Sequence, residues 1–540
     1  MAAVAIHGDG ERRADHQPDM RHKFAICNLQ FAICNSVRFA ILASVSLVAL
    51  AATKPAPAAA DDPTGKDLAF ALQSAFADAI ERVEPSLVSV ARIRTPDSPV
   101  ADSLLIEPAR RPFDFQRPRR GFAQEMHPSW VRPDGTNWMP QDFGSGVVID
   151  SDGLILTNHH VVERADKLWV FLHDGKVLPG EIWAMDPRSD LAVIRVQATN
   201  LKPITMGDAA KVKKGHIVLA LGNPFAAARD GRSSASWGII SNIARRLPPS
   251  PEGKPEDLTL HHSGTLFQTD ARLNYGTSGG ALINLNGEMI GLTTALAAVR
   301  GYDEAAGYAV PTDAMMRSIL AVLREGREVE YGFLGIRPDD VRVNETEATV
   351  PGAPKEGARV VDCFIGSPAY QGGLHAGDII TSVDGIPVRN REELVLTVGM
   401  RFAGNRVPFA VWRDEAGRGG RRINVNVTLG KFPVAGQIVA KNRPAPWRGI
   451  RVDHATVLLR EQQKGQDRLN GVPDGGVVVI EVETGSPADN AGVPLGENPP
   501  IITHVGTTRV HTPAEFYEAV KKLKGTVELK TDAGNFSVAE

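Results

Sequence analysis

Cysteine is nearly absent from this chain: Cys27, Cys34 and Cys363 are the only three in 540 residues. The first two fall in a leading segment that reads as removable, which leaves Cys363 alone. No disulfide framework is therefore available, and packing must hold the fold. An excess of charge of one sign is lacking too. Sixty Lys and Arg offset 63 Asp and Glu, for a net charge of -3, which gives no general case for nucleic acid or a membrane surface as partner. No glycine loop of the phosphate-cradling kind occurs, so no nucleotide cofactor is implied. The pairs His159-His160 and His261-His262 have no Cys, Asp or Glu cluster at ligand spacing. They read as ordinary surface or loop histidines, and neither a metal nor a cofactor is expected.

Long apolar runs are also scarce. The one that stands out, Phe39–Ala52, is uncharged, follows Arg21, Lys23 and Arg38, and leads into small residues with cleavage candidates after Ala51 or Ala60. That is the pattern of a signal peptide, and the run is short for a membrane span. Residues 1–60 are thus read as a signal peptide, with a retained N-terminal membrane anchor as the alternative. Either way the rest of the chain is exported.

What remains is too long for one core, so about three domains are expected. Thr64 to Glu84 reads as a helix, with Leu68, Leu72, Phe76, Ile80 and Val83 at helical spacing and Pro85 ending it. Residues 95–142 are rich in Pro and Arg, with Phe113, Phe115 and Phe122 interleaved. This stretch is read as a long mobile loop; a nucleic-acid contact is the rival reading. From Phe143 to Val310, short β-branched runs alternate with turns such as Ser151-Asp152 and Asp174-Gly175, which argues for an all-β barrel. Thr312 to Glu325 reads as a closing helix, with Gly326 just past its end.

A repeat follows. Gly366-Ser367-Pro368-Ala369 returns 119 residues later as Gly485-Ser486-Pro487-Ala488, and Ile379-Ile380 returns as Ile501-Ile502. Each copy runs on into a helix-like segment, near Arg391 and near Pro513. Two related modules are expected, joined by a Pro-rich connector.

Three stretches carry chemistry. In Asn274-Tyr275-Gly276-Thr277-Ser278-Gly279-Gly280 a serine is ringed by glycines. Such a serine can sit on a tight turn with backbone N–H groups turned toward a developing oxyanion. Upstream, Thr157-Asn158-His159-His160 ends a strand-like run, and Asp190 opens the apolar strand Leu191–Val196. The chain order histidine, aspartate, serine is that of chymotrypsin-type proteases.

In their order along the chain, six motifs resemble the HtrA (DegP/Deg) family of exported serine proteases. They are Gly144-Ser145-Gly146-Val147-Val148-Ile149, Leu156-Thr157-Asn158-His159-His160-Val161-Val162, Ser189-Asp190-Leu191-Ala192-Val193, Gly222-Asn223-Pro224-Phe225, Gly238-Ile239-Ile240-Ser241 and Gln268-Thr269-Asp270-Ala271. The resemblance covers nearly everything after residue 65. It implies a mainly β fold, with a chymotrypsin-like double β-barrel over 64–326 followed by two PDZ domains. These are small β-sandwiches capped by helices, at 327–432 and 447–540, with a linker at 433–446. It places His160 rather than His159 in the catalytic slot, so His160, Asp190 and Ser278 form the expected triad. The amides of Gly276 and Ser278 are the expected oxyanion hole. Leu292, Thr293, Thr294 and Ala295 are the expected wall of the S1 pocket. Phe333-Leu334-Gly335-Ile336 is the expected carboxylate loop of the first PDZ domain, with Trp447-Arg448-Gly449-Ile450 in the corresponding place of the second. The sequence departs from the family at Thr277, where asparagine is usual, and in the length of the segment from Arg245 to Ser263.

The function so implied is a serine endopeptidase that degrades unfolded or damaged exported proteins. Its PDZ domains would bind peptide C-termini, and it would assemble as trimers or multiples of trimers. The competing reading is a weakly active protease fold that serves as a chaperone or peptide-binding scaffold.

Overall fold

The computed structural model describes residues 65–93, 142–223, 232–246, 259–274, 276–294, 307–341, 352–414, 419–434, 436–458, 475–496 and 499–540. The leader read over 1–60 and nearly all of the loop read over 95–142 lie outside the described residues.

The first helix, α1 (Gly65–Val83), buries Ala79 and Val83 at the spacing its apolar residues predict. Six strands then form the first barrel: β1 (Leu87–Ile93), β2 (Asp142–Val148), β3 (Leu154–Asn158), β4 (Lys167–Leu172), β5 (Val177–Asp186) and β6 (Leu191–Val196). Their order is β5-β4-β1-β2-β3-β6, and pairing of β5 with β6 closes the ring. All seven residues of β1 are buried, because both faces of this strand are covered. The turn at Asp174-Gly175 joins β4 to β5, and Gly175 has φ 83°, a conformation that suits glycine.

The second barrel is β7 (Ile217–Gly222), β8 (Ser234–Arg245), β9 (Leu266–Thr269), β10 (Ala281–Ile283), β11 (Met289–Thr294) and β12 (Gly307–Pro311), closed in the order β10-β11-β12-β9-β8-β7. Each barrel has its own filling, including Val90, Ile155 and Ile194 in the first and Val218, Ile240 and Leu282 in the second. A third cluster runs between them, with Leu156 and Leu191 from one side and Leu221, Ala281 and Leu292 from the other. This apolar seam fixes the two barrels against each other. A short helix, α2 (His159–Val162), continues β3. The helix α3 (Ala314–Arg324) is capped by Asp313, whose Oδ1 accepts the Met316 N–H at 2.9 Å. It adds Met316, Ile319 and Leu323 to the seam.

The strand pair β13 (Gly332–Phe333) and β20 (Gly430–Lys431) brackets a five-strand path of β14 (Ile336–Asp340), β15 (Ala358–Cys363), β16 (Ile379–Val383), β18 (Arg406–Asp414) and β19 (Gly420–Thr428). A short β17 (Ile386–Pro387) pairs with β16. After β21 (Val439–Ala440) the same path recurs as β22 (Ile450–His454), β23 (Val477–Val482), β24 (Ile501–Val505), β26 (Val527–Thr531) and β27 (Gly534–Val538), with β25 (Thr508–Arg509) on β24. The internal repeat of the sequence is thus a repeat of structure. Even the register shifts coincide, at Arg337/Pro338 and Arg451/Val452, then at Ile380/Ser382 and Ile502/His504. Both copies carry a Pro-led turn of helix, α4 (Pro368–Gln371) and α6 (Pro487–Asn490), capped by Ser367 and Ser486. Both carry a longer helix, α5 (Arg391–Gly399) and α7 (Pro513–Val520), capped by Asn390 and Thr512.

The connector expected over 433–446 does more than link. Its β21 adds to the edge of the first barrel, Val439 opposite Met185 and Ala440 opposite Ala184. Asn442 N–H and Nδ2 then donate to the carbonyls of Gly326 and Glu325 at 2.9 and 2.6 Å. Proline content masked this short pairing, which needs only two residues free to bond.

Candidate active site

Register alone brings the histidine to the aspartate. Antiparallel pairing of β3 with β6 sets Asn158 opposite Leu191, so the residues that follow the one strand meet those that precede the other. His160 Nδ1 lies 2.8 Å from Asp190 Oδ2 and 2.9 Å from Oδ1, and the His160 backbone N–H donates to Oδ1 at 3.0 Å. The Asp190 backbone carbonyl accepts from His159 N–H at 2.9 Å and Asn158 Nδ2 at 3.1 Å. Asp190 is 3% exposed. Burial alone would raise its pKa, but the charge and hydrogen bond of His160, with weaker pulls from His261 and His159, leave it lowered. The carboxylate is therefore ionised at neutral pH, as an orienting partner must be. His159 is buried, and burial depresses its pKa against the pull of Asp190. The ring that faces Asp190 is that of His160, and a quarter of its side chain, 24%, is open to solvent.

Asp190 has φ 55°, a left-handed conformation that costs a non-glycine residue about 1–3 kcal/mol unless its surroundings impose it. The preceding turn supplies the constraint. Asp186 Oδ2 accepts Ser189 N–H at 3.0 Å and Ser189 Oγ–H at 2.5 Å, and the Ser189 carbonyl faces His261 Nε2 at 3.0 Å.

Ser278 sits on the turn that leads into β10. Gly276 and Gly279 have φ 97° and 84°, so the glycines around the serine do what their lack of a Cβ permits. A Cβ on Gly279 would lie 2.1 Å from the Ser145 carbonyl and 2.4 Å from Thr157 Oγ1. The serine turn is therefore pressed against the end of β3, three residues before His160. Thr277 is accommodated: its hydroxyl donates back to the Asn274 carbonyl at 2.7 Å.

Ser145, to which its sequence context gives no chemical role, ties the serine turn to the strands around it. Its N–H donates to the Ser278 carbonyl at 2.8 Å and its Oγ–H to the Gly276 carbonyl at 2.8 Å. The same Oγ accepts Asn223 N–H at 2.8 Å, and the Ser145 carbonyl accepts Thr157 Oγ1–H at 2.7 Å. A serine between Gly144 and Gly146 inside an apolar strand was the available signal.

Of the expected S1 wall, Leu292 belongs to the apolar seam. Thr293 is committed to the serine turn, its hydroxyl donating to the Thr277 carbonyl at 2.6 Å and its carbonyl accepting Gly279 N–H at 2.9 Å. Thr294 is buried with its hydroxyl unpartnered, and Ala295 lies outside the described residues. Leu292 and Thr293 are both fully buried, packed into the seam and bonded to the serine turn.

Phe333-Leu334-Gly335-Ile336 is not part of this cluster. Phe333 pairs with Gly430 and meets the Phe432 ring at 6.1 Å. Leu334 enters the module core, and Gly335 takes φ 77° against Ser367. In the second module the loop is closed on itself. Trp447 and Ile450 exchange both N–H···O bonds at 2.8 Å, and Arg448 and Gly449 both have positive φ. Arg448 Nη1 also donates to the Gly525 and Val538 carbonyls at 2.6 and 2.7 Å.

Family comparison agrees with this architecture. A trypsin-like peptidase domain matches residues 144–292, and a PDZ domain matches 365–395. The periplasmic serine endoprotease DegP of Escherichia coli K12 is 30% identical over 512 residues, covering 92% of this chain and 98% of the relative. The chain belongs to the HtrA/DegP family of serine endoproteases. Other members are the probable DegP-like endoproteases of Chlamydia muridarum, 32% identical with 77% of each chain covered, and of Halomonas elongata, 31% identical with 83% of this chain and 88% of the relative covered. As an HtrA/DegP protein the chain is a serine endopeptidase of the periplasm. No helix among the described residues is long and apolar enough to cross a membrane.

Proposed function

We propose that peptide-bond cleavage in this protein runs through His160, Asp190 and Ser278. Ser278 Oγ attacks the scissile carbonyl, and His160 Nε2 takes its proton and later returns it to the leaving amine. Asp190 holds the imidazole tautomer with Nδ1–H toward the carboxylate and stabilises the imidazolium. The amides of Gly276 and Ser278 receive the oxyanion. The observation that carries this reading is the paired contact of His160 Nδ1 with both oxygens of a buried carboxylate, with the serine turn packed on the same strand end.

Unfolded exported polypeptides are the proposed substrates. The first PDZ module captures an extended C-terminus by strand addition, with Phe333–Ile336 as the carboxylate loop. The closed Trp447–Ile450 turn argues for a different use of the second module. Self-association is supported by exposed aromatic side chains: Trp237, 63% exposed, lies 5.8 Å from the Phe76 ring of α1, and Phe70 of the same helix is 54% exposed. Exposed aromatics of this kind favour assembly of copies of the chain.

The deciding experiment compares wild type with S278A for casein digestion and for labelling by a fluorophosphonate probe. Digestion and labelling by wild type alone are expected. Equal, slow digestion by both proteins, with no labelling of either, sinks the assignment.

A further inference from the structure

The turn that carries Asp190 is braced from outside the barrel. Tyr331, 2% exposed, stands immediately before β13, which leads into the first PDZ module. Its hydroxyl donates to Asp186 Oδ2, the same oxygen that accepts both Ser189 donors. Phe432 follows β20, which leads out of the module, and its N–H donates to the Tyr331 carbonyl at 2.7 Å. Between these two rings and the turn lies Arg188. Its guanidinium carbon is 3.6 Å from the Phe432 centroid and 4.7 Å from that of Tyr331. Its Nη1 is buried with no hydrogen-bond partner, so the ring faces supply part of what water would have supplied. A Cβ on Gly399 of α5 would stand 3.3 Å from Arg188 Nη2, and the Leu260 N–H donates to the Arg188 carbonyl at 2.9 Å.

We propose that Tyr331 is a positioning residue for Asp190, acting through the Asp186 carboxylate; this rests on the triad assigned above. Asp186 holds Ser189 by its N–H and its hydroxyl, and Ser189 delivers the chain to Asp190 in a left-handed conformation. A turn of that kind persists only when several bonds over-determine it. The Tyr331 hydroxyl is one of those bonds. Burial, reinforced by the Asp186 charge, holds its pKa well above the usual phenol value, so the group stays protonated and donates. The bond also links the site to the PDZ module through a chain of contacts that does not pass through substrate.

The test is Y331F in the full-length protein, which keeps the ring over Arg188 and removes only the donor. The expected result is a fall on the order of 10-fold in kcat for a fluorogenic peptide and in the fluorophosphonate labelling rate, with KM and Tm little changed. The double variant D186N/Y331F should label no more slowly than D186N, because Tyr331 acts through the Asp186 carboxylate that D186N already removes. Wild-type kcat and labelling in Y331F overturn the proposal. So does a loss no larger than the loss of folded protein, or an additive double variant. Should Y331F lose its fold, D186N carries the test, since it keeps the volume and weakens the same contact; wild-type kcat there overturns the proposal as well. A wild-type protein that takes up no probe would instead bring down the triad assignment.

Discussion

Ser278 and Asp190 stand on two turns that draw on different sets of supporting groups. The serine turn is fastened by groups of the two barrels. Ser145 and Thr157 come from the first, and Asn223 and Thr293 from or beside strands of the second. The aspartate turn rests on Tyr331 and Phe432, which flank the first PDZ module, and on His261 from the segment before β9. The nucleophile's support is therefore as stable as the barrels themselves. The turn of the general base's partner is held by the first barrel at Asn158, His159 and His160, and shares the rest of its support with Tyr331 and Phe432. A protease whose serine stays in place while its aspartate can be loosened would have a natural point of control on the aspartate side.

The largest expected effects come from the reacting groups. S278A should abolish turnover, and D190N should lower kcat by about 10⁴-fold with the fold intact, as loss of the orienting carboxylate does elsewhere. Peptide hydrolysis together with near-ultraviolet circular dichroism would check both.

Next comes Gly279→Ala on the serine side. The added methyl meets the Ser145 carbonyl and Thr157 Oγ1 at a φ that favours glycine, so labelling should fall steeply and stability by about 1–3 kcal/mol. Ser145→Ala should cost about 1–3 kcal/mol, because it strands the buried Asn223 N–H and one acceptor site on the Gly276 carbonyl. Urea melts would measure that cost. If Ser145→Ala leaves activity and stability untouched, the contrast between the two sides disappears.

The last effect is one of pH, on the aspartate side. Burial, partly offset by Asp190 and by the Ser189 carbonyl, depresses His261 to about 4. The unfolded chain takes up this proton near pH 6.5, well before the folded one does. Stability from this residue is therefore full above about pH 6.5 and drains as pH falls toward 4. The total is on the order of 3 kcal/mol. Thermal melts between pH 7 and 4.5 should show the decline, and H261N should flatten it.

Much of this was legible in the sequence because it is local or periodic. The turn at Asp174-Gly175 and the repeated Gly-Ser-Pro-Ala announce themselves within a few residues. Strand register then converts local signals into a long-range one, since pairing of β3 with β6 sets Asn158 opposite Leu191. Ser145 stayed invisible as a hub because its partners lie between 12 and 133 residues away, and nothing in a lone serine encodes that reach. The Tyr331–Asp186 bond spans 145 residues and joins two segments without any shared pattern. The seating of Leu292 and Thr293 follows from cover on both faces of β11, all six of whose residues are buried, which an apolar Leu-Thr-Thr run does not reveal.

The docking of Val439 and Ala440 on β5 bears on how this chain can be shortened. A protein ended just after Phe432 would strip the first barrel of its last strand and lay bare backbone donors and acceptors along β5. Such an edge invites pairing with other molecules. A protein ended after Asn442 would bring its own cover and should stay dispersed at concentrations where the shorter form clumps.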